Sequence, residues 1–82
     1  MSDARDVVIK LLLSRDDRKT VCPSEAARSL AKEQGSSDWR GFMPAVHSAV
    51  DALAAEGVVL LSWKGRPIDV RTGPYRIKRK RD

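Results

Sequence analysis

The element order legible in this 82-residue chain predicts an α+β, mainly α, winged helix-turn-helix: three helices followed by a β-hairpin wing and a basic C-terminal tail. Three observations carry that prediction. Apolar residues recur at helical spacing in three segments separated by polar or glycine breaks. The β-branched and aromatic run "VVLLSW" at 58–63 is followed at once by the turn-prone "KGRP". Residues 58–82 then hold eight Lys/Arg against two Asp/Glu. The expected division is one winged-helix domain over 1–78 and a basic tail over 79–82.

In the first helix, Ser2 is placed as the cap, with Asp3 and Asp6 in the opening turn where the positive end of the helix dipole favours carboxylates. Val8, Ile9, Leu12 and Leu13 share one face, and the helix is expected to run to about Arg15. "RDDRK" at 15–19 is a polar turn, and Thr20–Val21 leaves room for one short strand. Next comes "VCPSEAARSL". Proline suits the first helical position because its missing N–H has no intrahelical partner there. Pro23 therefore starts helix two, Cys22 is its cap, and Glu25 can return its carboxylate to the Cys22 N–H as in a capping box. Ala27, Leu30 and Ala31 keep the spacing, and Gly35 ends the helix at about residue 34 in a left-handed conformation.

"SSD" at 36–38 caps a third helix carrying Trp39, Phe42, Met43, Val46, Val50 and Leu53 as a core-facing stripe up to Gly57. Pro44 interrupts it, so a kink, or a short helix joined to a second one, is expected. After the 58–63 strand, "IDV" at 68–70 returns as a second strand. "RTGP" breaks the chain again, and pairing resumes around Tyr75 and extends to Ile77.

Composition narrows function. With 41% hydrophobic, 33% charged and 5% aromatic residues, the chain is neither disordered nor a membrane span, and a bilayer crossing would need about 20 consecutive apolar residues. Its N-terminus lacks the pattern of an export signal, which places it in the cytoplasm. One cysteine and one histidine cannot make a disulfide or supply a structural zinc site, so no metal and no cofactor are expected. No phosphate loop, H-E-x-x-H pattern or embedded carboxylate pair is present, so the chain reads as non-enzymatic. Cys22 at a helix start with His47 as base would make a thiol sensor; the plainer reading is a cap residue and a boundary histidine.

The strings "CPSEAAR" at 22–28, "WRGFMPAV" at 39–46, "GRPID" at 65–69 and "GPYRI" at 73–77 together resemble a family of small bacterial proteins classed only as a domain of unknown function. The resemblance implies a winged-helix-like fold and leaves the function open.

Charge points to the partner. The net charge of +5 lies essentially in the last 25 residues, which suits phosphate contacts. The expected partner is nucleic acid, bound with low sequence specificity through Lys64 and Arg66 at the wing tip and Arg76, Lys78, Arg79, Lys80 and Arg81 in the tail. Arg40 and the helix-two start at Ser24 add secondary contacts. Trp63 is expected to pack in the core or the hairpin rather than stack on a base. Helix three offers its outer face little for base reading, since Arg40 and Ser48 stand beside Asp51 and Glu56, which repel phosphate. The alternative function is protein interaction or dimerisation through the small-residue stripe Gly41, Ala45, Ser48 and Ala52, with a second copy or a larger protein as partner. No membrane role is expected.

Overall fold

The computed structural model describes residues 3–15, 19–71 and 73–80. Ser2, Thr72, Arg81 and the middle of the "RDDRK" turn lie outside the described residues. Three helices, α1 (Ala4–Leu13), α2 (Pro23–Glu33) and α3 (Met43–Ala55), precede a three-stranded antiparallel sheet of β1 (Val59–Trp63), β2 (Arg66–Ile68) and β3 (Arg76–Arg79) in spatial order β2-β1-β3. This is a winged-helix-like arrangement.

The cap of α1 is Asp3, one residue beyond the expected Ser2, and its carboxylate accepts the Asp6 N–H at 2.9 Å. The helix ends at Leu13, short of Arg15, with the Ser14 hydroxyl donating to the Leu11 carbonyl. Its buried face is Ala4, Val7, Val8 and Leu12, rotated from the expected one; Leu13 is 61% exposed. The shift follows from packing: α1 contacts both α2 and α3, and two neighbouring helices need the wide stripe at 4, 7, 8 and 12 rather than a narrow seam.

Helix α2 begins as its sequence indicates. Cys22 is the cap in an extended conformation, Pro23 is the first residue, and the Cys22 N–H donates to Glu25 Oε1 at 3.2 Å. Arg15 pairs with the other oxygen of the same carboxylate, which ties the chain after α1 to the start of α2. Ala26, Ala27, Leu30 and Ala31 are buried.

Pro44 resolves into the second of the two expected outcomes. Trp39–Phe42 form a short 3₁₀ helix, α3 starts at Met43, and Pro44 falls within its first turn, where no N–H is needed. Val46, Val50 and Leu53 are fully buried, while Trp39, Phe42 and Met43 pack on the core from its edge. Gly57 (φ 76) closes α3: Val58 N–H bonds the Leu53 carbonyl and Gly57 N–H bonds that of Ala54, so the chain reverses directly into β1.

The hairpin turn is tighter than "KGRP" suggests. Only Lys64 (φ 53) and Gly65 (φ 80) form it, and Trp63 pairs with Arg66. Positive φ at both central residues matches the right-handed strand twist. Strand β2 therefore begins at Arg66, and Asp69–Val70, expected as strand, belong to the crossing that follows. Pro67 is tolerated because β2 is an edge strand and Pro67 opposes Ser62 next to the turn-closing pair, which turns its nitrogen outward. From Ile68 the chain crosses over β1 and returns as β3 on its other side. Pairing continues through Arg79 opposite Val59, two residues beyond Ile77. Val21 adds a single bridge to Ile77, with two backbone hydrogen bonds of 2.7 and 2.9 Å.

Two outcomes follow for stability. Ile77→Val, which removes one methylene from a side chain with no exposure, lowers unfolding free energy by about 1 kcal/mol in urea titration. Lys64→Asn, which fits the left-handed turn position better than lysine, raises it by roughly 0.5 kcal/mol.

Candidate nucleic-acid interface

The basic residues expected to act together are separated by the sheet. Lys64 sits in the hairpin turn and Arg66 opens β2, whereas Arg79 pairs with Val59 at the opposite end of β1. Four residue steps of about 3.4 Å put these ends roughly 14 Å apart. Strand alternation also divides them by face. Leu61, Ile68 and Ile77 turn toward the helices, so Lys78, opposite the exposed Leu60, lies on the outer face of the sheet.

Several of these cations have structural work. Arg76 donates from Nε to the Thr20 hydroxyl at 2.8 Å and from its terminal nitrogen to the Thr20 carbonyl at 3.4 Å. Lys80 Nζ stands over Gly57, at the C-terminal end of α3, where a cation is favoured by the helix dipole. Arg79 also has an interaction of its own. Arg81 lies outside the described residues.

The other end of the sheet is different. Lys64 and Arg66 are exposed and carry no carboxylate partner among the described residues. Beside Lys64, Trp63 sits in the hairpin opposite Arg66 with 39% of its surface exposed. The indole forms one wall of an open groove of about 440 Å³, shared with Pro23 and Ser24 at the start of α2, Met43 and His47 on α3, and Pro74 and Tyr75 before β3. Ser24 and Arg28 lie four residues apart on one face of α2. The guanidiniums of Arg28 and Arg40 each stand 4.5 Å from the Trp39 ring centroid. Such contacts are worth about 0.5–1 kcal/mol each at exposed sites and hold both forks in place. Arg28 escaped sequence reasoning because nothing in its local pattern separates it from an ordinary solvent-facing helix residue; only the fold brings it to Trp39.

The face of α3 is also altered by its neighbours. Asp51 receives two hydrogen bonds from Arg71, at 2.8 and 2.9 Å, and Glu56 two from Arg5, both at 2.6 Å. Arg71 and Arg5 hold these carboxyls below their ordinary range. The two acids expected to repel phosphate are thus each matched by a guanidinium. The small stripe Gly41, Ala45, Ser48 and Ala52 is exposed, but Gly41 has a local reason to be small: a Cβ there would stand 2.6 Å from the Asp38 carboxylate that accepts the Gly41 N–H.

At the floor of the groove His47 Nδ1 and the Tyr75 hydroxyl are 2.7 Å apart, and the Cys22 thiol is 3.0 Å from the Ser24 hydroxyl. Cys22 and His47 therefore share a groove, each engaged with a different partner. Burial raises the Tyr75 pKa to about 12. Burial, with help from Arg71, lowers that of His47 below the 6.5 of a free imidazole, against the weaker pull of Asp51.

The sign of the resulting pH dependence is fixed. As pH falls, the unfolded chain takes up the histidine proton first, so this contribution to stability is complete above pH 6.5 and is lost as pH falls through the lower folded value. Thermal unfolding at pH 7.5 and 5.5 should show a decline for the natural sequence and a flatter profile for His47→Gln, which keeps a partner for Tyr75.

Among the described residues no helix is long and apolar enough to cross a membrane. A comparison with curated proteins finds no match. A family model described as "Protein of unknown function (DUF3253)" matches residues 2–80. The match spans all three helices and the whole sheet, and on that extent the chain belongs to the DUF3253 family of proteins of unknown function.

Proposed function

We propose that this protein is a non-enzymatic nucleic-acid-binding module of low sequence specificity, using the edge formed by the hairpin tip, the start of α2 and the 3₁₀ turn before α3. One observation carries the reading. The carboxylates Asp51, Glu56 and Glu25 are each paired with an arginine, while Arg28, Arg40, Lys64 and Arg66 are exposed with no carboxylate partner among the described residues. Intramolecular pairing thus leaves an edge on which these four cations stand against the Asp38 carboxylate that caps the 3₁₀ turn, where the sequence alone shows mixed charge.

Phosphate contacts come from Lys64 and Arg66 at the tip, Arg28 and Arg40 on Trp39, and the start of α2 at Ser24, where the positive end of the helix dipole favours an anion. Lys78 and Lys80, on the outer face and at the far end of the sheet, add diffuse attraction. Low specificity follows from α3, whose outer face offers mainly alanines, Ser48 and an already engaged Asp51 for base edges.

Four phosphate contacts predict that log K falls against log salt with a slope of about −3 to −4, or roughly a hundredfold between 50 and 200 mM. Fluorescence anisotropy with a labelled oligonucleotide measures it. The Arg28→Ala/Arg40→Ala double variant should weaken binding and flatten the slope by about 2. Lys64→Asn should flatten it by about 1 while stabilising the fold, which separates lost binding from lost structure. No binding at low salt rules the reading out.

A further inference from the structure

We infer that the groove beside the hairpin is a subsite for a single unpaired nucleobase, with Trp63 as its stacking platform, so that the protein selects single-stranded over double-stranded nucleic acid. The inference rests on the nucleic-acid reading above and adds the class of strand that is bound.

Three features of the groove define its occupant. First, its walls are flat and apolar. Trp63, Pro23, Met43 and Pro74 surround a space of about 440 Å³, within the roughly 300–1,000 Å³ of small-ligand clefts and open on one side. Flat apolar walls favour a ring inserted edge-first with its faces covered. Second, no carboxylate lines it: the nearby Asp51, which acts on His47 and Tyr75, is paired with Arg71, and the hairpin side of the groove is cationic. Lys64 follows Trp63 directly, and Arg66 is its cross-strand partner. The occupant therefore combines an aromatic plane with negative charge, which is the chemistry of a nucleotide unit rather than of a neutral apolar molecule. Third, polar groups lie inside the apolar walls. The Ser24 hydroxyl, which keeps capacity beyond its one contact with the Cys22 thiol, and the His47 Nε2, which has no partner among the described residues, can meet base-edge donors and acceptors, while Tyr75 fixes the imidazole through Nδ1.

A base within a duplex has both faces covered by its neighbours, and it cannot reach Trp63 without being unstacked. An unpaired base reaches it at little cost. The exposure of Trp63 is thereby explained. A tryptophan at the end of β1 could have been folded onto the core as Leu61 and Ile77 are, yet 39% of its surface remains open beside two cations that have no carboxylate partner among the described residues.

The test uses the full chain and three labelled probes of equal length and composition at one low salt concentration: single-stranded DNA, single-stranded RNA, and a DNA hairpin. The single strands should bind about tenfold more tightly than the hairpin, and Trp63→Ala should remove about tenfold of single-strand affinity while changing hairpin affinity less than twofold. Trp63→Phe, which keeps a ring on a conservative scaffold, should retain most of the single-strand affinity but lose the tryptophan quenching that stacking produces in the natural protein. The two single-strand arms tell whether the sugar matters at this subsite. If Trp63→Ala weakens single strand and hairpin alike, or leaves both unchanged while the salt slope persists, the subsite is refuted and the electrostatic reading stands. If none of the probes binds, the nucleic-acid reading itself fails.

Discussion

Two hydrogen bonds between Val21 and Ile77 organise this fold. They join the segment entering α2 to the last strand, 56 positions later in the chain, and both side chains are fully buried at the junction. Because the bridge is antiparallel, the chain on either side of it is brought together as well. Cys22 and Pro23 come to lie beside Tyr75 and Arg76, and the start of α2 faces the crossing that leads into β3. Arg15 and Arg76 reinforce the same point, since both donate to the Thr20 carbonyl. Without the bridge there would be no groove, for its two prolines arrive from opposite sides of that contact.

The charge pattern depends on the same geometry. A chain with a net charge of +5 and 16 Lys/Arg can present its positive charge in many ways, and which cations face solvent unpaired is decided by where the carboxylates fall. Arg5 reaches Glu56 across the packing of α1 on α3, and Arg71 reaches Asp51 because the crossing after β2 runs over α3. Each pair is exposed and contributes little to stability. The larger consequence is electrostatic: the acids on the outer face of α3 are neutralised, while the hairpin cations and the two arginines held at Trp39 have no carboxylate partner among the described residues.

Local signals were read correctly where they are complete within a few residues. Pro23 with Cys22 and Glu25 specifies a helix start, Gly35 and Gly57 specify helix ends, and Pro44 forces a break in the third helix whatever surrounds it. Legibility failed where the outcome depends on what lies opposite. The sequence of α1 permits two overlapping apolar faces, and α2 and α3 together chose the one containing Ala4 and Val7 and left Leu13 outside. The strand "IDV" is plausible by composition, but a two-residue turn pulled β2 forward to Arg66–Ile68 and released Asp69 and Val70. Of the candidate interface, Lys64, Arg66, Arg40 and Ser24 were legible from charge and helix position; Arg28 and the exposure of Trp63 were not.

What the sequence by itself determined is the list of elements, their order and the excess of positive charge after residue 57, because capping, proline placement, periodicity and formal charge are properties of short stretches. Tertiary structure alone decided which charges are cancelled, which aromatic stays open and which distant residues share a groove. Trp63, Pro23 and Pro74 are far apart along the chain and meet only through the Val21–Ile77 bridge and the antiparallel register of the sheet. That register is set by burial of Leu61 and Ile77 on one face, a long-range constraint that no local window of sequence contains.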